Sequence, residues 1–183
     1  MEQFEIAKGW DLIHLGDKRH FSLLMGQSPP SDSYNVDQVG LPFYQGKSEF
    51  GVTHPTPKKW CSAPLRVAEP DDVLMSVRAP VGPTNLANQK CCIGRGLAAI
   101  RCKPLVLPRF VLYALRNIEE EISASVAGQG GGFTAIKRDQ VEALQVPVPS
   151  LDEQKRIVLR IEHQTNRVNF IRDAQRQLAV DVR

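Results

Sequence analysis

The chain has 183 residues, of which 42% are hydrophobic and 23% charged, and its formal net charge is +3. That balance suits one ordinary domain with a real core plus a smaller element, and it excludes a disordered chain. No stretch approaches about 18 uninterrupted apolar residues. The N-terminus (Glu2, Glu5, Lys8) also lacks the shape of a signal peptide, so a cytoplasmic rather than a membrane or secreted protein is expected.

The small net charge hides an asymmetry. Residues 1–46 carry three basic and six acidic groups, whereas residues 47–109 carry ten basic and four acidic ones. Residues 110–136 have a net charge of −2 and residues 137–183 of +2. A basic middle on a nearly neutral protein is what a local polyanion-binding face looks like, although chance clustering on a solvated surface gives the same pattern.

Taken in order, Gly9–Leu15 alternates as an opening strand anchored by Trp10, and Gly16–Met25 reads as a short helix ending at Gly26. Gly26–Tyr34 is a loop by its Gly, Ser and Pro content. Gly40–Gly46 forms a short strand, and Thr53–Trp60 is an exposed basic loop. Asp71–Arg78 is the clearest strand, entered through an acidic turn and stopped at Pro80. Val81–Ala87 reads as a Gly/Pro/Asn loop, Cys91–Ile93 as a strand, Gly94–Gly96 as a tight turn and Leu97–Arg101 as a strand. Apolar residues from Phe110 to Ile122 recur at helical spacing, which predicts one helix over Arg109–Ser125. Gly128–Gly132 is a turn, Arg138–Leu144 a short helix and Val146–Val148 the last strand.

Pro147 and Pro149 then stop the chain before a helix. Ser150 stands at the N-cap with Glu153 placed to close a capping box. From there to Arg183 there is no Gly or Pro. The heptad positions Ile157, Ile161, Gln164, Val168, Ile171, Gln175, Leu178 and Val182 are mostly apolar. This is the narrow stripe of a coiled coil, and Ile157, Ile161, Val168, Ile171 and Leu178 are the expected packing residues. The chain stops in mid-pattern without a C-cap, so the helix or a second unit is expected to continue beyond it. The fold class expected is α+β: a globular head with a curved mixed sheet (residues 1–149), then a long C-terminal coiled-coil helix (150–183).

Enzyme signatures are missing from the sequence. Cys61, Cys91, Cys92 and Cys102 form no CxxC pair and the four histidines are scattered, so no metal site is expected, and the adjacent Cys91–Cys92 reads as half-buried strand. The Gly128–Gly132 run lacks the Lys-Ser/Thr ending of a phosphate loop. What remains are polar, basic loops on a strand scaffold. Their Ser28, Ser31, Tyr34, Gln45, Lys47, Lys58, Lys59, Arg78, Asn85 and Arg95 carry the chemistry that reads base edges or holds phosphates. They are the candidate DNA-binding residues, with no catalytic residue proposed.

Four stretches carry a family resemblance. They are Gly9-Trp10 with Leu15-Gly16-Asp17; Gly26-Gln27-Ser28-Pro29 through Tyr34; Asp72–Gly82 running on to Ile93–Ile100; and Phe133–Ile136 through Val146–Leu151 to Glu153-Gln154 and Ile157. Together they resemble one repeat of the DNA-specificity subunit of type I restriction–modification enzymes. The resemblance implies a non-catalytic target recognition domain followed by a spacer helix. It also implies double-stranded DNA as ligand, with modification (methyltransferase) subunits and a restriction subunit as partners. No cofactor is implied for this chain, whereas the partner subunits are expected to use S-adenosylmethionine, ATP and magnesium.

The resemblance implies two such units per bipartite site, with their helices paired antiparallel. One repeat alone therefore predicts a homodimer, or a second repeat, packed through the helix. About 33 helical residues span roughly 50 Å, which limits the gap to about 15 base pairs at 3.4 Å each. Two other readings stand beside this one: a coiled-coil adaptor that binds protein, and the recognition fragment of a fused methyltransferase.

Overall fold

Strand β10 (Leu97–Cys102) is apolar at four consecutive positions because both of its faces are covered. The computed structural model describes residues 8–127 and 135–181, and beyond Arg172 it describes only the side chain of Gln175. β10 pairs antiparallel with β2 (Phe21–Met25) on one side and with β7 (Val73–Ser76) on the other. β8 (Thr84–Leu86) extends the ladder beyond β7, giving the order β2-β10-β7-β8.

The period-2 alternation of these strands divides two cores. Ala98, Ile100, Val73 and Met75 face Val111, Leu112, Leu115 and Ile122, which come from helices α1 (Pro108–Asn117) and α2 (Glu119–Ala127). Leu97, Ala99 and Leu74 face the other way, onto Tyr44, Ala68, Cys91 and Ile93. Those residues belong to a five-stranded sheet of order β3-β5-β4-β9-β6, built from β3 (Tyr34–Asn35), β4 (Leu41–Tyr44), β5 (Trp60–Cys61), β6 (Val67–Ala68) and β9 (Cys91–Ile93). Its β4–β9 pair is parallel and every other pairing is antiparallel. The molecule is α+β with mixed strand pairing, distributed over separate ladders rather than one sheet.

Four local expectations are corrected. Gly16–Met25 ends in a strand, not a helix, because Phe21–Met25 finds five ladder partners in Ala98–Cys102. The preceding turn is held by the Asp17 carboxylate, which accepts the Arg19 N–H and guanidinium and contacts the His20 ring. Val81–Ala87 holds β8 in place of a loop, since β7 would otherwise be left with an unpaired buried edge. The helix expected over Arg109–Ser125 breaks at Ile118, where the N–H returns to Leu115 O. Cys91 and Cys92 are fully rather than half buried, because Cys91 packs toward Leu74, Leu97 and Ala99 of the four-stranded sheet and Cys92 against Phe43 and Cys61 of its own. The Gly128–Gly132 turn lies outside the described residues.

The last strand, β11 (Gln145–Val148), pairs with β1 (Asp11–His14), and Trp10 meets Phe110 edge-on at 6.3 Å. Two residues after β11 the chain enters α4 (Leu151–Asp181), 31 residues long and about 46 Å at 1.5 Å per residue. α3 (Arg138–Ala143) precedes β11. Ser150 Oγ accepts the Glu153 N–H at 3.4 Å, as expected of a cap. The reciprocal half of the capping box does not form, because Arg156 takes the Glu153 carboxylate with both guanidinium arms at 2.6 and 2.9 Å. That pair holds the Glu153 carboxyl below the usual range.

The first turns of α4 dock on the head through residues beside the heptad stripe. Gln154 and Val158 are buried, and Glu162 reaches Arg109 on α1 at 2.6 Å. Ile157 and Ile161 are half-buried at the edge of this contact. Further along, Val168 and Ile171 are 46% and 53% exposed. Leu178 lies on the helix where side chains are not described.

Candidate nucleic-acid interface

At the β2-exit end of the four-stranded sheet, three loops meet at distances that exclude side chains. A Cβ on Gly26 would fall 2.1 Å from Gly94 O, and one on Gly96 would fall 2.1 Å from Gln45 O. Glycine is therefore required at both positions for steric reasons, whatever its backbone angles. The turn Gly94-Arg95-Gly96 is thereby wedged between the segment leaving β2 and the one leaving β4. Ser28 Oγ accepts the Arg95 N–H at 3.3 Å, and Tyr44 O accepts the Gly94 N–H at 2.8 Å.

The Gln45–Lys47 segment is shaped by a carboxylate the sequence reading did not single out. Glu49 accepts the backbone N–H groups of Gln45 and Gly46 at 3.2 and 3.1 Å. This closes a 3₁₀ turn over Lys47–Glu49 and leaves the Gln45 and Lys47 side chains outside. Lys58 donates from Nζ to Ser48 O at 2.9 Å, bringing its charge to the same turn.

These loops surround a concavity of about 210 Å³ lined by Ser28, Gln45, Lys47, Ser76, Arg78 and Arg95. Five of the ten residues expected to bind DNA thus come from separate segments to one place. Among the described residues no carboxylate lies within ion-pair distance of Lys47, Arg78 or Arg95. A concave surface bearing unpaired cations together with amide and hydroxyl groups can accept phosphate oxygens and base-edge acceptors at once.

The remaining candidates are placed differently. Tyr34 supports the site from below: it stacks on Phe43 at 4.7 Å and donates its hydroxyl to Pro29 O at 2.7 Å. Burial pushes that hydroxyl's pKa up. Ser31 is exposed on a 3₁₀ turn beside Tyr34, and Lys59 is exposed where Phe43 N–H meets its carbonyl. Asn85 is a correction. It is wholly buried in β8 and donates to Gly51 O at 2.8 Å, so its amide organises the neighbouring loop instead of reaching outward.

Ser76 lines the site but read only as part of a strand. A second concavity of similar volume lies at the opposite end of the β2–β10 pair, lined by Lys18, Lys103, Arg138 and Glu142 among others. Its basic residues were not legible as a group, because they lie in three distant parts of the chain.

The model of a family described as "Type I restriction modification DNA specificity domain" matches residues 65–178. The chain is 42% identical over 175 residues to the putative type I restriction enzyme MjaX specificity subunit of Methanocaldococcus jannaschii, covering 95% of this chain and 41% of that protein. It is 26% identical over 129 residues to the type I restriction enzyme MjaIX specificity subunit of the same organism, covering 70% of this chain and 28% of that one. Among solved structures it resembles the HsdS subunit from Thermoanaerobacter tengcongensis, with a TM-score of 0.80 and 45% identity over 93% of this chain and 41% of that one. A type I R-M system chain, from work on complex assembly and conformational transition, gives a TM-score of 0.84 at 45% identity, covering 94% and 42%. The chain thus spans about two fifths or less of these relatives' length.

Proposed function

The chain belongs to the type I restriction–modification DNA specificity family, and from that premise we propose that its head reads one part of a double-stranded DNA target. The observation that carries this reading is the convergence of Ser28, Gln45, Lys47, Arg78 and Arg95 on one concave, carboxylate-free surface. The chain itself performs no chemistry. It presents the bound duplex to modification subunits that use S-adenosylmethionine, and to a restriction subunit that uses ATP and magnesium, in the cytoplasm. Residues 1–149 act as the reading head and residues 150–183 as the spacer and packing arm.

The exposed stripe through Val168 and Ile171 supports pairing of α4 with another such helix, from a second copy of this chain or a second repeat. At about 46 Å, α4 separates two reading heads by no more than about 14 base pairs. The test is retention of duplex DNA by the full chain over a salt series. Affinity should fall steeply between roughly 50 and 200 mM salt, as released counterions dictate. Replacing Lys47, Arg78 and Arg95 together by Gln should flatten that dependence, lowering the salt slope by up to about three. A chain that retains no duplex at any salt is not a DNA reader.

A further inference from the structure

A side chain discriminates between bases only if its backbone root is fixed, because a head on a swinging root averages over several positions. The two arginines of the concavity have such roots. Arg95 sits between two buried glycines, one of which has no room for a Cβ under Gln45 O. Its own N–H is held by Ser28 Oγ, and Leu97 N–H closes the turn on Gly94 O at 3.0 Å.

Arg78 lies two residues beyond the end of β7. Ser76 Oγ donates to the Arg78 carbonyl at 3.0 Å, and the residue bridges Ala135 on the other side. The two roots are also tied to each other, since the Val77 N–H donates to Gly96 O at 2.9 Å. The spacing between the two guanidiniums' points of origin is therefore set by the backbone, while both heads are exposed. Lys47 differs from both. It is a point charge on a surface turn, suited to a phosphate and unable to form a planar two-pronged contact.

A fixed guanidinium presents two parallel N–H donors, the complement of the O6 and N7 acceptors of guanine in the major groove. We propose that Arg78 and Arg95 are the guanine-reading residues of this head, so that its target segment contains two G·C pairs, one facing each arginine. Lys47 holds the backbone alongside. This rests on the DNA-reading function above and adds the base identity.

The experiment is selection from random duplexes with the full chain, as wild type, R78K and R95K. Lysine keeps the charge and loses the planar fork, so each variant is read by the motif it selects and not by its total retention of duplex. Each variant should relax the preference for guanine at one position by roughly 5- to 150-fold. On the wild-type protein, 7-deazaguanine at each selected guanine removes the N7 acceptor and should weaken binding there, a readout that survives even if a variant fails to fold.

A selected motif without G·C pairs, motifs unchanged in both variants, or indifference to 7-deazaguanine would each overturn the assignment. Retention of duplex with no motif at all would also overturn it, while leaving DNA binding intact. Loss of all duplex retention by the wild type would instead remove the DNA-reading function, and this proposal with it.

Discussion

Gln154, wholly buried in the first turn of α4, accepts the Leu107 N–H at 2.8 Å on its side-chain oxygen. Its amide nitrogen donates to the carbonyls of Leu105, at 3.1 Å, and Pro149, at 2.9 Å. One side chain thus satisfies three backbone groups at the junction of α1, β11 and α4, and keys the arm to the head.

Replacing Gln154 by Leu keeps the volume and leaves those three groups unpaired. We expect a loss of about 3 kcal/mol, since each stranded buried group costs roughly 1–3 kcal/mol. Urea unfolding measures it. A loss below 1 kcal/mol would mean that the arm is held by apolar contact alone.

The Asp72 carboxylate is buried and takes both arms of Arg101 at 2.8 Å, while also accepting the Glu69 N–H at 2.8 Å. Removing Arg101 strands a buried charge, and Arg101→Ala should cost about 2–3 kcal/mol, at the low end for buried pairs because the guanidinium is 48% exposed. Asp72→Asn in the same background should recover part of that loss, because it removes the stranded charge. Unfolding curves of the single and double variants decide the matter, and no recovery in the double variant would refute the account.

The glycine wedge gives a paired prediction. Gly96→Ala forces a Cβ against Gln45 O and should destabilise the head by about 1–3 kcal/mol and weaken duplex retention. Gly46→Ala, with nothing within 4 Å of the added carbon and an extended backbone, should change neither. Similar behaviour of the two variants in thermal melts and duplex retention would show that the loops are not wedged as described.

Burial pushes the thiols of Cys91, Cys92 and Cys102 up to about 12. In the unfolded chain they ionise near 8.5. Stability is therefore fully present below that pH and declines as pH rises toward 12, because only the unfolded state gains from releasing the protons. Stability measured from pH 7 to 10 should fall more steeply for the wild type than for C91A/C92A/C102A. Equal slopes would contradict the burial.

For the arm, Val168→Asp with Ile171→Asp places two charges on an exposed stripe and should leave the melting temperature of the head unchanged. If α4 pairs with a second copy, sedimentation will show the wild type shifting toward dimer with concentration and the variant remaining monomeric. Identical sedimentation of the two would remove this stripe as the contact.

Much of this was readable beforehand where local chemistry and tertiary context agree. β7 and β10 announce themselves as short apolar runs between turns, and α4 by its Pro stop and Ser150 cap. Ser28, Gln45, Lys47, Arg78 and Arg95 stood out as candidates because they are polar or basic side chains on loops, with the chemistry that meets base edges and phosphates, but their convergence on one concavity was not legible. The errors lie where distant partners decide. Phe21–Met25 becomes a strand only because β10 lies beside it, and Gly82, Pro83 and Asn85 disguise β8 as a loop. Asn85 looks like a base reader until Gly51, 34 positions away, claims its amide. Glu49 and Ser76 gave no signal, since their work is to shape backbone near the site.

The pairing of β1 with β11 has a further reach. Asp11 stands opposite Val148, so the chain leaves the head beside the place where it entered, a few residues before the arm begins. Apart from Leu105–Arg109, where Gln154 and Glu162 of the arm dock, the sequence between those neighbouring strands could be exchanged for another of the same kind without moving the arm's point of departure. On the function proposed above, what the head reads and what the arm spaces would then be separable by a single splice.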